Sequence, residues 1–174
     1  VVQGEPGAAA VLAWQATTAW SEPWRLWSAA WVHLSALHLA ANAAGALGVV
    51  ALGCAAHVPV RATLAWALAW PLTHAALAAA PALARYGGLS GVLHAGVAIV
   101  AVTLWRRAAR GERRIGLAIG AVLLLKIALE APWRAAVVRP EGWDIAVAPF
   151  AHAAGALAGA LLAAALCTPP RRTP

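Results

Sequence analysis

Five apolar stretches dominate the chain, at roughly 33–53, 60–80, 89–105, 115–131 and 146–166. Each is close to the ~20 residues that a helix needs to cross a bilayer. Hydrophobic residues make up 63% of the chain and charged residues 11%, against about 45–50% and about 25% in soluble domains. The pattern predicts an all-α polytopic membrane helical bundle, one domain over residues 1–174. The formal net charge of +7 does not point to nucleic acid. The arginines sit between the apolar blocks instead of along one amphipathic face, so membrane topology accounts for them. Cys54 and Cys167, the only cysteines, have nothing of metal-ligand spacing around them and read as free thiols.

Arginine placement orients the bundle. Arg61, Arg106, Arg107, Arg110, Arg113, Arg114, Arg171 and Arg172 fall on one side, which the positive-inside rule makes cytoplasmic. Arg25, Arg85, Arg134 and Arg139 fall on the other, offset by Glu22, Glu141 and Asp144. Trp14, Trp20, Trp24, Trp27, Trp31, Trp133 and Trp143 gather on that outer side, as an interfacial belt would. The segment 8–20, "AAAVLAWQATTAW", is apolar but too short to span; it reads as an interfacial piece or the ragged end of a further helix. With no Met at position 1, the expectation is a chain that starts inside a longer product.

Polar side chains within such blocks are functional candidates, because hydrocarbon makes them expensive. His38 and Asn42, four apart, share a helix face, and His33 lies just before them. Helix–helix hydrogen bonding is the plainer reading of these three. Ser90 stands at the mouth of the third block among Gly87, Gly88 and Gly91, with His94 one turn on. An ordinary Ser N-cap is the plainer reading there. In the last block His152 is followed by Gly155 and Gly159, a G-x-x-x-G spacing that lets a neighbouring helix approach closely. Lys126 and Glu130 have the i, i+4 spacing of a structural ion pair. His57 falls in a cytoplasmic loop, and His74 lies in the second block with its facing unassigned.

Depth brings the first of these groups together. The first, third and last blocks all run from outside to inside. At ~1.5 Å per residue, His38, Asn42, Ser90 and His152 then fall within roughly 10–15 Å of the outer surface. A serine hydroxyl becomes a nucleophile when a positioned histidine takes its proton. His38, Asn42 and the Ser90 backbone N–H supply donors for an oxyanion. No acidic residue is read at that depth to orient His152, so the expected unit is a Ser/His dyad.

These motifs, His33–His38–Asn42, Gly88–Gly91 around Ser90 and Ala151–Gly159 around His152, together with Trp24-Arg25 eight residues before His33, resemble those of the rhomboid intramembrane serine proteases, in the family's order. The resemblance covers about residues 24–166. It implies Ser90 as nucleophile, His152 as general base, and His38, Asn42 and the Ser90 N–H as oxyanion hole, with His33, His94, Gly88, Gly91, Gly155 and Gly159 in support. Many rhomboids carry a tyrosine stacked on the catalytic histidine where this chain has His94. The family's bacterial core has six helices and five are counted here, so the first is expected to be absent or truncated. The compact size and "GLSGVLH" resemble the rhombosortase branch, which implies substrates with a glycine-glycine C-terminal anchoring tail.

The resulting expectation is a membrane serine endopeptidase of a bacterial inner membrane. Its site opens to the periplasmic side, its partners are transmembrane protein substrates and the lipid bilayer, and it uses no nucleic acid, cofactor or metal. A catalytically inactive client-binding relative and a small transporter built on Lys126 and Glu130 are the rival readings. A transporter's polar groups belong near the midplane, whereas this set lies toward one face.

Overall fold

The computed structural model describes residues 7–167. Five long helices follow the five apolar blocks: α3 (Ala36–Ala55), α4 (Val60–Ala76), α5 (Ser90–Trp105), α6 (Arg110–Glu130) and α7 (Pro149–Leu166). Two short helices, α1 (Ala8–Leu12) and α2 (Arg25–Ser28), precede them. The protein is a helical membrane bundle. Ala36–Ala55, Val60–Ala79 and Pro149–Leu166 are each long and apolar enough to cross a membrane unaided. The other two expected spans differ for physical reasons. α5 has only 16 residues and is buried on nearly every side, as suits the central helix of a bundle. α6 opens on Arg110, Glu112, Arg113 and Arg114.

Local chemistry sets the helix ends. The Ser35 hydroxyl accepts from the His38 N–H at 3.0 Å and caps α3. Pro149 occupies the first turn of α7, where its missing N–H costs nothing. Ala131 ends α6 in the left-handed region, φ 48°.

α5 packs against α3, α4, α6 and α7, and its crossing with α7 is the closest. A side chain at Gly91 would meet the Ala151 carbonyl and Thr73; one at Gly155 would run into the Gly91 carbonyl, and one at Gly159 into Ala95. Small residues let the two backbones approach this closely.

The chain before α3 folds over the end of the bundle where α5 and α7 begin. β1 (Trp14–Gln15) pairs antiparallel with β2 (Arg85–Tyr86), Trp14 opposite Tyr86. Trp14, Ala19, Ala29, Leu77, Leu83, Tyr86, Ala148 and Ala151 form one core beneath it. Arg25 is buried there. Its guanidinium pairs with Glu22 and donates to the carbonyls of Ala10 (3.0 Å) and Ala13 (2.7 Å). The hydrogen bond from Arg25 holds the Glu22 carboxyl below its usual range. Segment 8–20 is thus a folded cap, not a flat interfacial piece. Trp14 is removed from the expected aromatic belt because its strand pairing turns the ring into the core. Trp20, Trp24, Trp27, Trp31, Trp133 and Trp143 are exposed, as the belt requires.

The opposite end carries the arginine-rich turn. Arg107 pairs with Glu112 at 2.6 Å and donates to the His57 carbonyl at 2.7 Å, while Arg106 donates to the Ala164 carbonyl. Arg171 and Arg172 lie outside the described residues.

Candidate active site

Ser90 is the first residue of α5, yet its side chain caps nothing. Its Oγ instead lies 3.0 Å from His152 Nε2, across 62 residues of chain. The ordinary N-cap reading therefore does not hold. His152 is one turn into α7 and buried. The Gly91–Gly155 contact brings it there, since Gly91 adjoins Ser90 and Gly155 lies within one turn of His152.

His152 has a further partner that the sequence analysis missed. Its Nδ1 is 2.7 Å from Glu130 Oε2. A carboxylate only accepts, so Nδ1 carries the proton and the Nε2 lone pair faces Ser90. The expectation that no acidic residue reaches this depth is corrected. Lys126 and Glu130 do form the expected i, i+4 pair, through Oε1, but the second oxygen belongs to His152. The reason is direction. α6 runs opposite to α5 and α7, so its last turn ends at the level where α7 begins. The same depth reasoning, applied to the fourth block, would have found it.

His94 lies face to face with His152, ring centroids 4.1 Å apart and planes 9° from parallel, and its Nδ1 donates to the Ser90 carbonyl at 2.7 Å. The ligand atoms of His94, Glu130 and His152 lie within 4.8 Å of one another. Metal bonds lie in the imidazole plane, however, and two stacked rings do not converge on one ion. A second residue missed in the sequence is Tyr86, the only tyrosine, four before Ser90. Its hydroxyl lies 3.4 Å from Ser90 Oγ and accepts from the Gly91 N–H at 3.4 Å. Burial pushes the phenol above its ordinary pKa, so it keeps its proton. Beneath it, His74 is fully buried, with Nδ1 on the Leu26 carbonyl at 2.6 Å.

The remaining candidates meet on the other side of Ser90. Gly88 has φ +134°, and a side chain there would begin 2.7 Å from His38 Nε2 and 3.7 Å from Asn42 Nδ2. Glycine is required on both counts. The Leu34 N–H donates to His38 Nδ1 at 3.3 Å, so Nε2 carries the proton and presents it toward Gly88. Asn42 is buried, and its Nδ2 has no hydrogen-bond partner among the described residues. His33 sits edge-on to His38, with ring centroids 5.1 Å apart. As the first residue of α5, Ser90 has a backbone N–H with no acceptor inside its helix. The Ser35 hydroxyl donates to Asp144 at 2.8 Å and ties the loop before α7 to the start of α3. A cavity of about 530 Å³ between α3, α5 and α6, almost wholly apolar, reaches His94 and Lys126.

The family model of the rhomboid domain matches residues 21–169. The protein belongs to the rhomboid family. The match contains every residue of the site just described. Neither curated proteins nor solved structures match the chain. Rhomboids are in general intramembrane serine proteases that act on transmembrane proteins, and inactive members exist. In this rhomboid the two imidazoles of His94 and His152 stand where many members stack a tyrosine on a histidine.

Proposed function

We propose that this rhomboid is an active intramembrane serine endopeptidase in which Ser90 is the nucleophile and His152 the general base. The observation that carries the reading is the 3.0 Å approach of Ser90 Oγ to His152 Nε2 between two different helices. His152 takes the hydroxyl proton as Oγ attacks the scissile carbonyl. The developing oxyanion is met by His38 Nε2–H, Asn42 Nδ2–H and the Ser90 N–H. His152 then returns the proton to the leaving amine, and water hydrolyses the acyl-enzyme by the same route. His33, His94, Gly88, Gly91, Gly155 and Gly159 hold these groups in place.

The substrate is the transmembrane or C-terminal anchoring segment of a membrane protein, cut near the outer face of the bilayer. The stretch around Ser90 resembles the rhombosortase branch and favours a substrate with a glycine-glycine tail. We assign the protein to a bacterial inner membrane, and the arginine distribution supports a site on the periplasmic side. An inactive client-binding rhomboid has no use for the Ser90–His152 approach. A transporter has no use for a polar set gathered at one end of the bundle.

A fluorophosphonate probe tests the reaction class. Wild type should label, Ser90→Ala should not, and His152→Ala should label poorly. The double variant should be no worse than Ser90→Ala, because the pair acts as one unit. Cleavage of a tail-bearing membrane protein, read by mass after co-expression, tests the substrate class. Full cleavage by a folded Ser90→Ala protein would sink the proposal.

A further inference from the structure

Glu130 has no part in a two-residue mechanism, yet both of its oxygens are engaged. Oε2 receives the His152 Nδ1–H at 2.7 Å, and Oε1 receives the Lys126 ammonium from one turn earlier in α6. We propose that Glu130 is a positioning residue that completes a Ser90–His152–Glu130 triad, with Lys126 anchoring the carboxylate. The inference rests on the protease reading of Ser90 and His152.

The geometry is what an orienting carboxylate needs. A neutral imidazole has two tautomers, and only the one protonated on Nδ1 leaves Nε2 free to take the Ser90 proton. Glu130 selects it. No other described residue does so, because His94 meets His152 through its face and spends its Nδ1–H on the Ser90 carbonyl. A purely structural ion pair needs Lys126 alone. It does not explain why the carboxylate turns its second oxygen to a buried histidine.

The proton balance is complete without a further reactant. At attack, the Oγ–carbon bond forms, the carbonyl electron pair moves to oxygen, and the Oγ proton moves to Nε2. The Nδ1 proton stays on His152 throughout. The imidazolium then lies against the Glu130 carboxylate, 2.7 Å from Nδ1, and the charge attraction stabilises it. When the carbon–nitrogen bond breaks, the Nε2 proton leaves with the amine. The positive imidazolium and the negative oxyanion form together, so the site gains no net charge, and Lys126 balances Glu130 throughout.

The test compares Glu130→Gln, Glu130→Asp and Lys126→Met in the full chain. Glu130→Gln should lower kcat by roughly 10²–10⁴ with KM nearly unchanged, since an amide NH2 facing Nδ1 favours the wrong tautomer. Glu130→Asp should recover part of that loss, and Lys126→Met should show a smaller drop. A residue that only supports the fold would lower the melting temperature and activity together and would gain nothing from the aspartate. A second readout does not depend on turnover. Proton NMR of the Ser90→Ala protein should show a strongly low-field Nδ1–H from His152 that Glu130→Gln removes. Wild-type kcat in a folded Glu130→Gln protein, or absence of that resonance while Glu130 is intact, overturns the triad. If Ser90→Ala abolishes cleavage while Glu130→Gln does not, only the triad fails. If Ser90→Ala still cleaves, the protease reading fails with it.

Discussion

The two sides of Ser90 treat their polar groups in opposite ways. On the α6–α7 side each functional atom has a partner: Ser90 Oγ on His152, His152 on Glu130, Glu130 on Lys126, His94 on the Ser90 carbonyl. On the α3 side the donors wait. His38 Nε2 is turned toward Gly88 by its own tautomer, and buried Asn42 Nδ2 has no partner among the described residues. A buried donor left unpaired costs about 1–3 kcal/mol. Under the proposed protease reading, one half is built for stability in the resting state, and the other holds back stability that an arriving oxyanion would recover. Catalytic groups that bind only the transition state are expected to look unsatisfied before it forms.

The largest effect should come from breaking the joint between α5 and α7. A side chain at Gly155 has no space, since it would run into the Gly91 carbonyl. Gly155→Leu should push the helices apart, cost about 1–3 kcal/mol or more in stability, and reduce probe labelling of Ser90 to background. Thermal unfolding and labelling in the same detergent sample measure both. A stable, fully labelled Gly155→Leu protein would mean that the Ser90–His152 approach does not depend on this crossing.

Asn42→Ala should separate the two halves most sharply. Losing one oxyanion donor costs 10²–10³ in kcat, about 3 kcal/mol. Because Asn42 Nδ2 has no partner in the resting state, its removal should leave the melting temperature unchanged or raise it. Steady-state kinetics beside a melting curve decide the point. A large loss of stability with the loss of rate would make Asn42 a packing residue and dissolve the contrast.

What the sequence made legible follows the same division. Helix positions, the crossing at Gly155 and Gly159, and the meeting of Ser90, His152, His38 and Asn42 at one depth are all consequences of apolar periodicity, small-residue spacing and chain direction. Glu130 is hard to read in the sequence because Lys126, four residues before it, already accounts for its charge as a structural ion pair. Trp14 was misplaced because its burial depends on strand pairing with Tyr86, seventy-two residues away, which no local pattern encodes. Tyr86 was passed over for the same reason. Its importance lies in a loop whose course is fixed by Gly87 and Gly88 against Val32 and His38.

Tyr86 gives the smallest predicted effect and sits on the line between the two halves. Ser90 gives its own proton to the free lone pair of His152 Nε2, so its Oγ is left to accept from the Tyr86 hydroxyl, which in turn accepts from the Gly91 N–H. Both Tyr86 contacts are long, 3.4 Å, and such bonds contribute little. Tyr86→Phe keeps the ring packed against His74, with centroids 5.6 Å apart, and opposite Trp14, so the cap should fold as before. The lost hydroxyl should cost about 1 kcal/mol at most, which is less than tenfold in kcat. A loss as large as that of Asn42→Ala, with KM unchanged and the melting curve intact, would place Tyr86 among the groups that activate Ser90. The α6–α7 side would then extend into the loop before α5, and the boundary between the two halves would have to be redrawn through Gly88.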